Sequence, residues 1–205
     1  LSLDQIKIPK DSKLDMKMSE ATKLALKLQL ATAQRKGEII TIEWNEIDLT
    51  TRWWSIPSIK AKNGNPNRVY LSDLAMELLT RIKVLSGDSK WAFPAPNGKT
   101  HATASSLSRA MNRSTFEKLD HFTPHDLRRS AATHMTSIGI PRLVVSKILN
   151  HVDSSITSIY DRHSYDAEKK HALESWGKKL KQLIDTTENT DNAVDFSAAQ
   201  AQRPL

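Results

Sequence analysis

Apolar residues recur at helical spacing through most of this chain, and a β-type pattern interrupts them once. Leu24, Leu28 and Ala31 share one face of a helix that Ser19 can cap and that runs to about Ala33. Arg35-Lys36-Gly37-Glu38 follows, then Ile39, Ile42 and Trp44 as a further apolar face. Trp53-Trp54-Ser55-Ile56 and Arg68-Val69-Tyr70-Leu71 are β-prone runs on either side of Lys62-Asn63-Gly64-Asn65-Pro66. Asn-Gly between such runs predicts a hairpin. Ser72-Asp73 opens a helix with Leu74, Leu78 and Ile82 four residues apart. Residues 86–103, with Gly87, Pro94, Pro96 and Gly98, read as loop.

Helices return after that loop. One is expected from about Ala104 to Lys118. Thr123 and Pro124 supply an N-cap and a first-turn proline for the next, which Gly139 ends. Pro141 starts a third, carrying Leu143, Val144, Ile148 and Leu149, with Asn150 as its stop. A short helix over Ile156–Tyr160 and a longer one over Asp166–Ile184, with Trp176, Leu180 and Leu183 inward, complete the pattern. The expected fold class is therefore mainly α with one small antiparallel β-sheet, an α+β arrangement. Residues 1–17 read as a linker from an upstream domain, 18–184 as one domain, and 185–205 as a polar, acidic and mobile tail. In that tail only Ala193-Val194-Asp195-Phe196 offers apolar anchors. The opening Leu1-Ser2-Leu3, without an initiator Met, suggests a start inside a longer protein.

Composition narrows the chemistry. With no cysteine among 205 residues, disulfides and thiolate metal sites are excluded. The formal charge is +7. Residues 185–205 hold four acids against one base, a net of −3, which leaves +10 on residues 1–184. A basic body favours a polyanionic partner, although a basic protein with no such partner has the same composition. No apolar run nears the ~20 residues that span a membrane.

Four features carry candidate chemistry. In Thr123-Pro124-His125-Asp126-Leu127-Arg128-Arg129-Ser130, His125 and Arg128 lie three apart and share a helix face. His125 falls in the first turn, where free N–H groups favour an anion, and a guanidinium there suits a phosphate. A solvated helix gives the same pattern. Leu149-Asn150-His151-Val152-Asp153 precedes Tyr160 by nine residues, counted from His151. A phenol titrating near 10 is a poor nucleophile unless cations stabilise it; a core tyrosine is the plain alternative. Arg35 ends an apolar helix and Lys62 sits at the hairpin turn, each a surface charge when taken alone.

Their order and spacing say more than any one of them. Together they resemble the tyrosine recombinases, and among these the phage-type integrases, over about Met18–Leu183. Arg35 in Arg-x-Gly-Glu, Lys62 in Lys-Asn-Gly, His125 and Arg128 in His-Asp-Leu-Arg-Arg-Ser, His151 in Leu-Asn-His and Tyr160 in Ile-Tyr-Asp-Arg fall on that family's pattern. Gln34 departs from it where hydrophobic residues are usual, as does Asn150 in place of a small residue. Lys60 and Tyr165 are rivals to Lys62 and Tyr160, but their context and spacing fit less well. Glu38 reads as a residue that orients Arg35, and His134, His163 and His171 as surface or core.

The resemblance implies the tyrosine-recombinase catalytic-domain fold and site-specific DNA recombination through a 3′-phosphotyrosyl intermediate, with no cofactor, metal or ATP. It implies (pro)phage or genomic-island integration and excision as the setting. It also implies double-stranded DNA attachment sites as partner, a tetramer of this chain on DNA, accessory DNA-bending or directionality proteins, no membrane, and a bacterial cytoplasm near the nucleoid. In this reading Arg35, Arg128 and His151 bind the phosphate, His125 handles the Tyr160 proton and Lys62 protonates the leaving oxygen. The alternatives are relaxation of DNA like a type IB topoisomerase, a DNA-binding module without catalysis, and a basic scaffold with no DNA role.

Overall fold

The Ser19 hydroxyl accepts from the Thr22 N–H at 3.2 Å and so starts the first helix, α1 (Glu20–Thr32), where the sequence places it. The structure, a computed structural model, describes residues 18–113, 122–152 and 163–200, and in the last segment describes side chains as far as Asp185. Then come α2 (Lys36–Ile40), a 3-10 turn (Trp44–Glu46), β1 (Ile47–Asp48), β2 (Trp53–Ile56), β3 (Asn67–Tyr70), α3 (Asp73–Ser86), α4 (Ala104–Arg113), α5 (Pro124–Ser137), α6 (Arg142–Ile148) and α7 (Asp166–Gln200). The architecture is the expected one, mainly helical with a three-stranded antiparallel sheet ordered β1-β2-β3.

α1 is the central helix: α2, α3, α4, α5 and α7 all pack against it. Its Leu24, Ala25, Leu28 and Ala31 are buried, as the apolar spacing requires. Trp176 of α7 is fully buried; its indole N–H donates to the Leu30 carbonyl at 2.9 Å, and its ring stacks on His134. Cutting such a tryptophan to alanine typically costs about 3–5 kcal/mol. α7 crosses close to the start of α3 because position 177 is glycine. A Cβ there would lie 2.5 Å from the Ser72 Oγ.

In the sheet, Trp54 pairs with Val69 and with Ile47, and all three are buried on the core face. On the opposite face Tyr70 is buried, while the exposed Arg68 guanidinium covers the half-buried Trp53 ring at 4.6 Å. β3 begins one residue earlier than the apolar run suggests, because Asn67 pairs with Ile56.

β2 and β3 form the expected hairpin, an antiparallel pair joined by a loop over residues 57–66. Asn63-Gly64 does turn within that loop: the Gly64 N–H donates to the Ala61 carbonyl at 3.0 Å, with a Gly64 φ of 73°. Two expectations need correction. Leu183 is only half-buried, whereas Leu180 is buried. The last helix does not stop at Ile184 but continues to Gln200. Residues 185–200 are polar but contain neither glycine nor proline, and polarity alone does not end a helix. Residues beyond Arg113 in the expected fourth helix, and the expected Ile156–Tyr160 helix, lie outside the described residues.

Candidate active site

α5 sets the first two site residues. Pro124 fills the first helical position, and the Thr123 N–H and hydroxyl both donate to the Asp126 carboxylate, at 2.9 and 2.8 Å. Those bonds, more than the charges of Arg129 and His125, lower the Asp126 pKa. The turn is thus closed by an ionised side chain that belongs to the cap. His125 stands exposed on this turn and Arg128 follows one turn later, only 4% exposed.

Backbone carbonyls hold Arg128. Its Nη1 donates to the Ala33 carbonyl at 2.8 Å and its Nη2 to the Leu149 carbonyl. Ala33 is the C-cap of α1 at φ 56°. That left-handed conformation costs a residue with a Cβ roughly 1–2 kcal/mol, and it is found here where a carbonyl meets the guanidinium. Burial, and after it the charge of Arg35, pulls the Arg128 pKa down to about 10, with Glu38 opposing. The group is still a cation at neutral pH. Among the described residues no carboxylate forms an ion pair with it.

Arg35 caps α2. Its Nη1 donates to Glu38 Oε1 at 3.0 Å, and its backbone N–H donates to Glu38 Oε2 at 2.9 Å. Glu38 is buried, so it orients Arg35 as expected. His151 is placed by the end of α6. The Asn150 N–H donates to the Lys147 carbonyl and the His151 N–H to the Ser146 carbonyl, both at 3.1 Å, with Asn150 at φ 48°. This left-handed helix stop satisfies the last carbonyls and turns His151 out of the helix. Partial desolvation, then the charges of Arg128 and Arg35, lower the His151 pKa below the usual histidine value. The ring is therefore neutral at pH 7 and keeps one N–H to donate.

These residues meet in one open cleft of ≈ 350 Å³, lined by Arg35, Lys62, His125, Arg128, Asn150 and His151, with Asn63 and Val152 beside them. Five of the six residues singled out from the sequence are thus brought together from four separate segments. The sixth, Tyr160, lies outside the described residues. The rivals sit elsewhere. Lys60 is engaged by the Thr41 carbonyl at 2.8 Å, by Glu43 Oε1 at 3.1 Å and by Glu46, and it covers the Trp91 ring. Tyr165 lies under the Lys147 ammonium and does not line the cleft. His163 pairs with Glu168 on the surface.

Two site features escape motif reading. Asn63 and Asn150 hydrogen-bond each other across the cleft, and Gln34 and Asn67 form a buried polar pair beneath it. The signal for them was the pair of departures from the family pattern, at Gln34 and Asn150. What the cleft offers chemically is a concave set of cations and neutral donors, with no acid among the described residues that line it, an arrangement that fits an anion with several oxygens.

Known proteins bear on this geometry. Prophage integrase IntA of Escherichia coli (strain K12) is 29% identical over 168 residues, covering 80% of this chain and 40% of that protein. The integrase from mycobacterium phage Brujita superposes with a TM-score of 0.62 at 18% identity, over 83% of this chain and 59% of that one. A lambda integrase tetramer bound to a Holliday junction gives a TM-score of 0.53 at 19% identity, over 75% of this chain and 45% of that one. The chain thus spans about two fifths to three fifths of the length of these relatives. The fold is that of the tyrosine-recombinase structures it matches. The phage integrase family pattern matches residues 6–167, most of the sequence, and the chain belongs to that family.

Proposed function

We propose that this chain is the catalytic part of a site-specific tyrosine recombinase, cutting and rejoining double-stranded DNA through Tyr160. The observation that carries the reading is Arg128, a buried guanidinium held by carbonyls beside a second guanidinium, in a cleft whose described lining residues include no acid. Two guanidiniums side by side suit an anion with several oxygens, and a backbone phosphate is one.

In the proposed reaction the Tyr160 oxygen attacks phosphorus, its proton passes to His125, and the bond from phosphorus to the 5′-oxygen breaks. The 5′-oxygen takes a proton from Lys62 and leaves as a hydroxyl, and the DNA stays linked as a 3′-phosphotyrosyl ester. Attack by a 5′-hydroxyl of another strand reverses these steps. Negative charge grows on the non-bridging oxygens at the transition state, and Arg35 and Arg128, which line the cleft, are the residues we assign to receive it. His151 adds a hydrogen bond. No step consumes ATP, and none calls for a metal. Integration or excision of phage-like DNA at attachment sites, by a tetramer with accessory proteins, is the setting we assign, by likeness to the integrases above.

A nicked suicide substrate tests the reading. Once cleaved it loses a short 5′-hydroxyl fragment, so the covalent complex accumulates and survives a denaturing gel. The parent protein is expected to trap DNA and Tyr160→Phe to trap none while still shifting DNA on a native gel, since the phenol oxygen adds little to ground-state binding. A covalent band from Tyr160→Phe would show that another residue is the nucleophile.

A further inference from the structure

The loop that carries Lys62 is fastened to the turn that carries His151, and the fastening is made of side chains. The Asn63 Nδ2 donates to the Asn150 carbonyl at 2.7 Å, and the Asn63 Oδ1 accepts from the Asn65 N–H at 3.1 Å. In return the Asn150 Nδ2 donates to the Asn65 carbonyl at 2.8 Å and to the Asn63 Oδ1 at 3.3 Å. Backbone partners of fixed polarity therefore set the orientation of both amides. At the base of the same loop, the Asn67 Nδ2 donates to the Ile148 carbonyl at 3.2 Å and to the Gln34 Oε1 at 3.3 Å, while the Gln34 Nε2 donates to the Ile148 carbonyl at 3.0 Å. Loop 57–66 is thus tied to the end of α6 at its tip and at its base.

Each tie is one residue from a cation or donor of the cleft. Asn63 follows Lys62, Asn150 precedes His151, and Gln34 precedes Arg35. Lys62 itself is exposed, so neighbours in sequence rather than packing decide where its ammonium can go. A flexible lysine on a free ten-residue loop would sample many positions, and a reacting group misplaced by an ångström loses most of its effect.

We propose that Asn63 and Asn150 are positioning residues: a clasp that docks the Lys62 loop onto the His151 turn before DNA arrives and sets the proton donor over the leaving oxygen. The proposal rests on the phosphoryl-transfer reading for its kinetic consequence but not for its structural one. Asn150 does two separable things. Its left-handed backbone ends α6, which glycine does equally well, and its amide holds the loop, which glycine cannot. Asn150→Gly therefore removes the two bonds that its amide gives to the loop and keeps the helix stop, and Asn63→Ala removes the bonds made from the other side; each leaves one bond of the clasp in place.

The test uses the full chain in two measurements. In DNA-free protein, amide hydrogen exchange across residues 57–66 should speed up by about tenfold in both variants, with α1 and α3 unchanged, because about two hydrogen bonds are lost locally. In single-turnover cleavage, both variants should be roughly tenfold slower than the parent on ordinary DNA. They should be nearly as fast as the parent on DNA with sulfur at the 5′-bridging position, whose thiolate leaves without a proton. Unchanged exchange overturns the clasp. Undiminished cleavage of ordinary DNA, or equal slowing on both substrates, overturns the positioning of Lys62. A parent that forms no covalent complex overturns the phosphoryl-transfer reading and the kinetic role with it, while exchange still decides whether the clasp holds the loop.

Discussion

Two clefts among the described residues differ in character. The larger, ≈ 530 Å³ between α3 and α7, is lined by Arg52, Lys178 and Lys181 on one side of the charge balance and Asp73, Glu77 and Glu174 on the other. Its charges neutralise one another: Arg52 bonds Asp73 at 2.5 Å and Lys181 pairs with Glu77. The smaller cleft, ≈ 350 Å³, holds Arg35, Lys62 and Arg128, with no acid among the described residues that line it. Volume would select the first cleft, whereas electrostatics selects the second. Exposed ion pairs such as those of the larger cleft cost little to make or break and are worth little. A buried, carbonyl-held cation is costly to keep, and it is kept where a ligand can compensate it.

The comparison breaks most visibly at Lys62. As general acid, its loss through Lys62→Ala should slow cleavage of ordinary DNA by about 10²–10⁴-fold and barely slow cleavage of the 5′-bridging sulfur substrate. Equal defects on both would reduce Lys62 to a phosphate contact. Lys60→Ala, two residues away but engaged by Glu43 and Glu46, should match the parent on both substrates.

Next in size is the contrast between the clefts. In the proposed reaction Arg128→Ala removes a donor to the charge that grows in the transition state, and it should lower single-turnover cleavage by about 10²–10³-fold without rescue by bridging sulfur. Lys181→Ala, in the larger cleft, should leave that rate within about twofold, since surface pairs contribute so little. Comparable losses from both would remove the reason for preferring the smaller cleft.

The smallest effect is a titration. Desolvation first, then Arg128 and Arg35, hold the His151 pKa down, so Arg128→Gln should raise it towards the usual value without restoring it fully. Imidazole NMR shifts followed against pH in DNA-free protein would read this, and an unchanged or lower pKa would contradict it. The sign for stability follows. Protonating His151 is harder in the folded protein than in the unfolded chain. Its contribution is therefore intact above the usual value near 6.5 and is lost as pH falls through the lowered folded value.

The parts legible in the sequence are those with a local signal. α1, α3, α5 and α6 announce themselves by apolar spacing and by Ser19, Ser72, Thr123-Pro124 and Asn150 at their ends. The two-residue β1 has no period of its own to show, and α2 is too short to carry one. The extension of α7 past Ile184 was hidden because a polar composition resembles a tail. At the site, motif order was enough to select Arg35, Lys62, His125, Arg128 and His151, and each lines the cleft. The clasp was not legible as a pair. Asn63 and Asn150 lie 87 residues apart, and only the fold brings two amides of no periodic pattern together.

The central claim is that a DNA phosphate becomes bonded to Tyr160, and peptide mapping of the trapped complex tests it most directly. Trypsin cuts after Lys147, Arg162 and Lys169, so Tyr160 falls in the peptide Ile148–Arg162 and its rival Tyr165 in His163–Lys169. After nuclease trimming of the trapped DNA, mass spectrometry should find a nucleotide joined through its 3′-phosphate to the peptide Ile148–Arg162. The same adduct on His163–Lys169, or on neither peptide, would contradict the account.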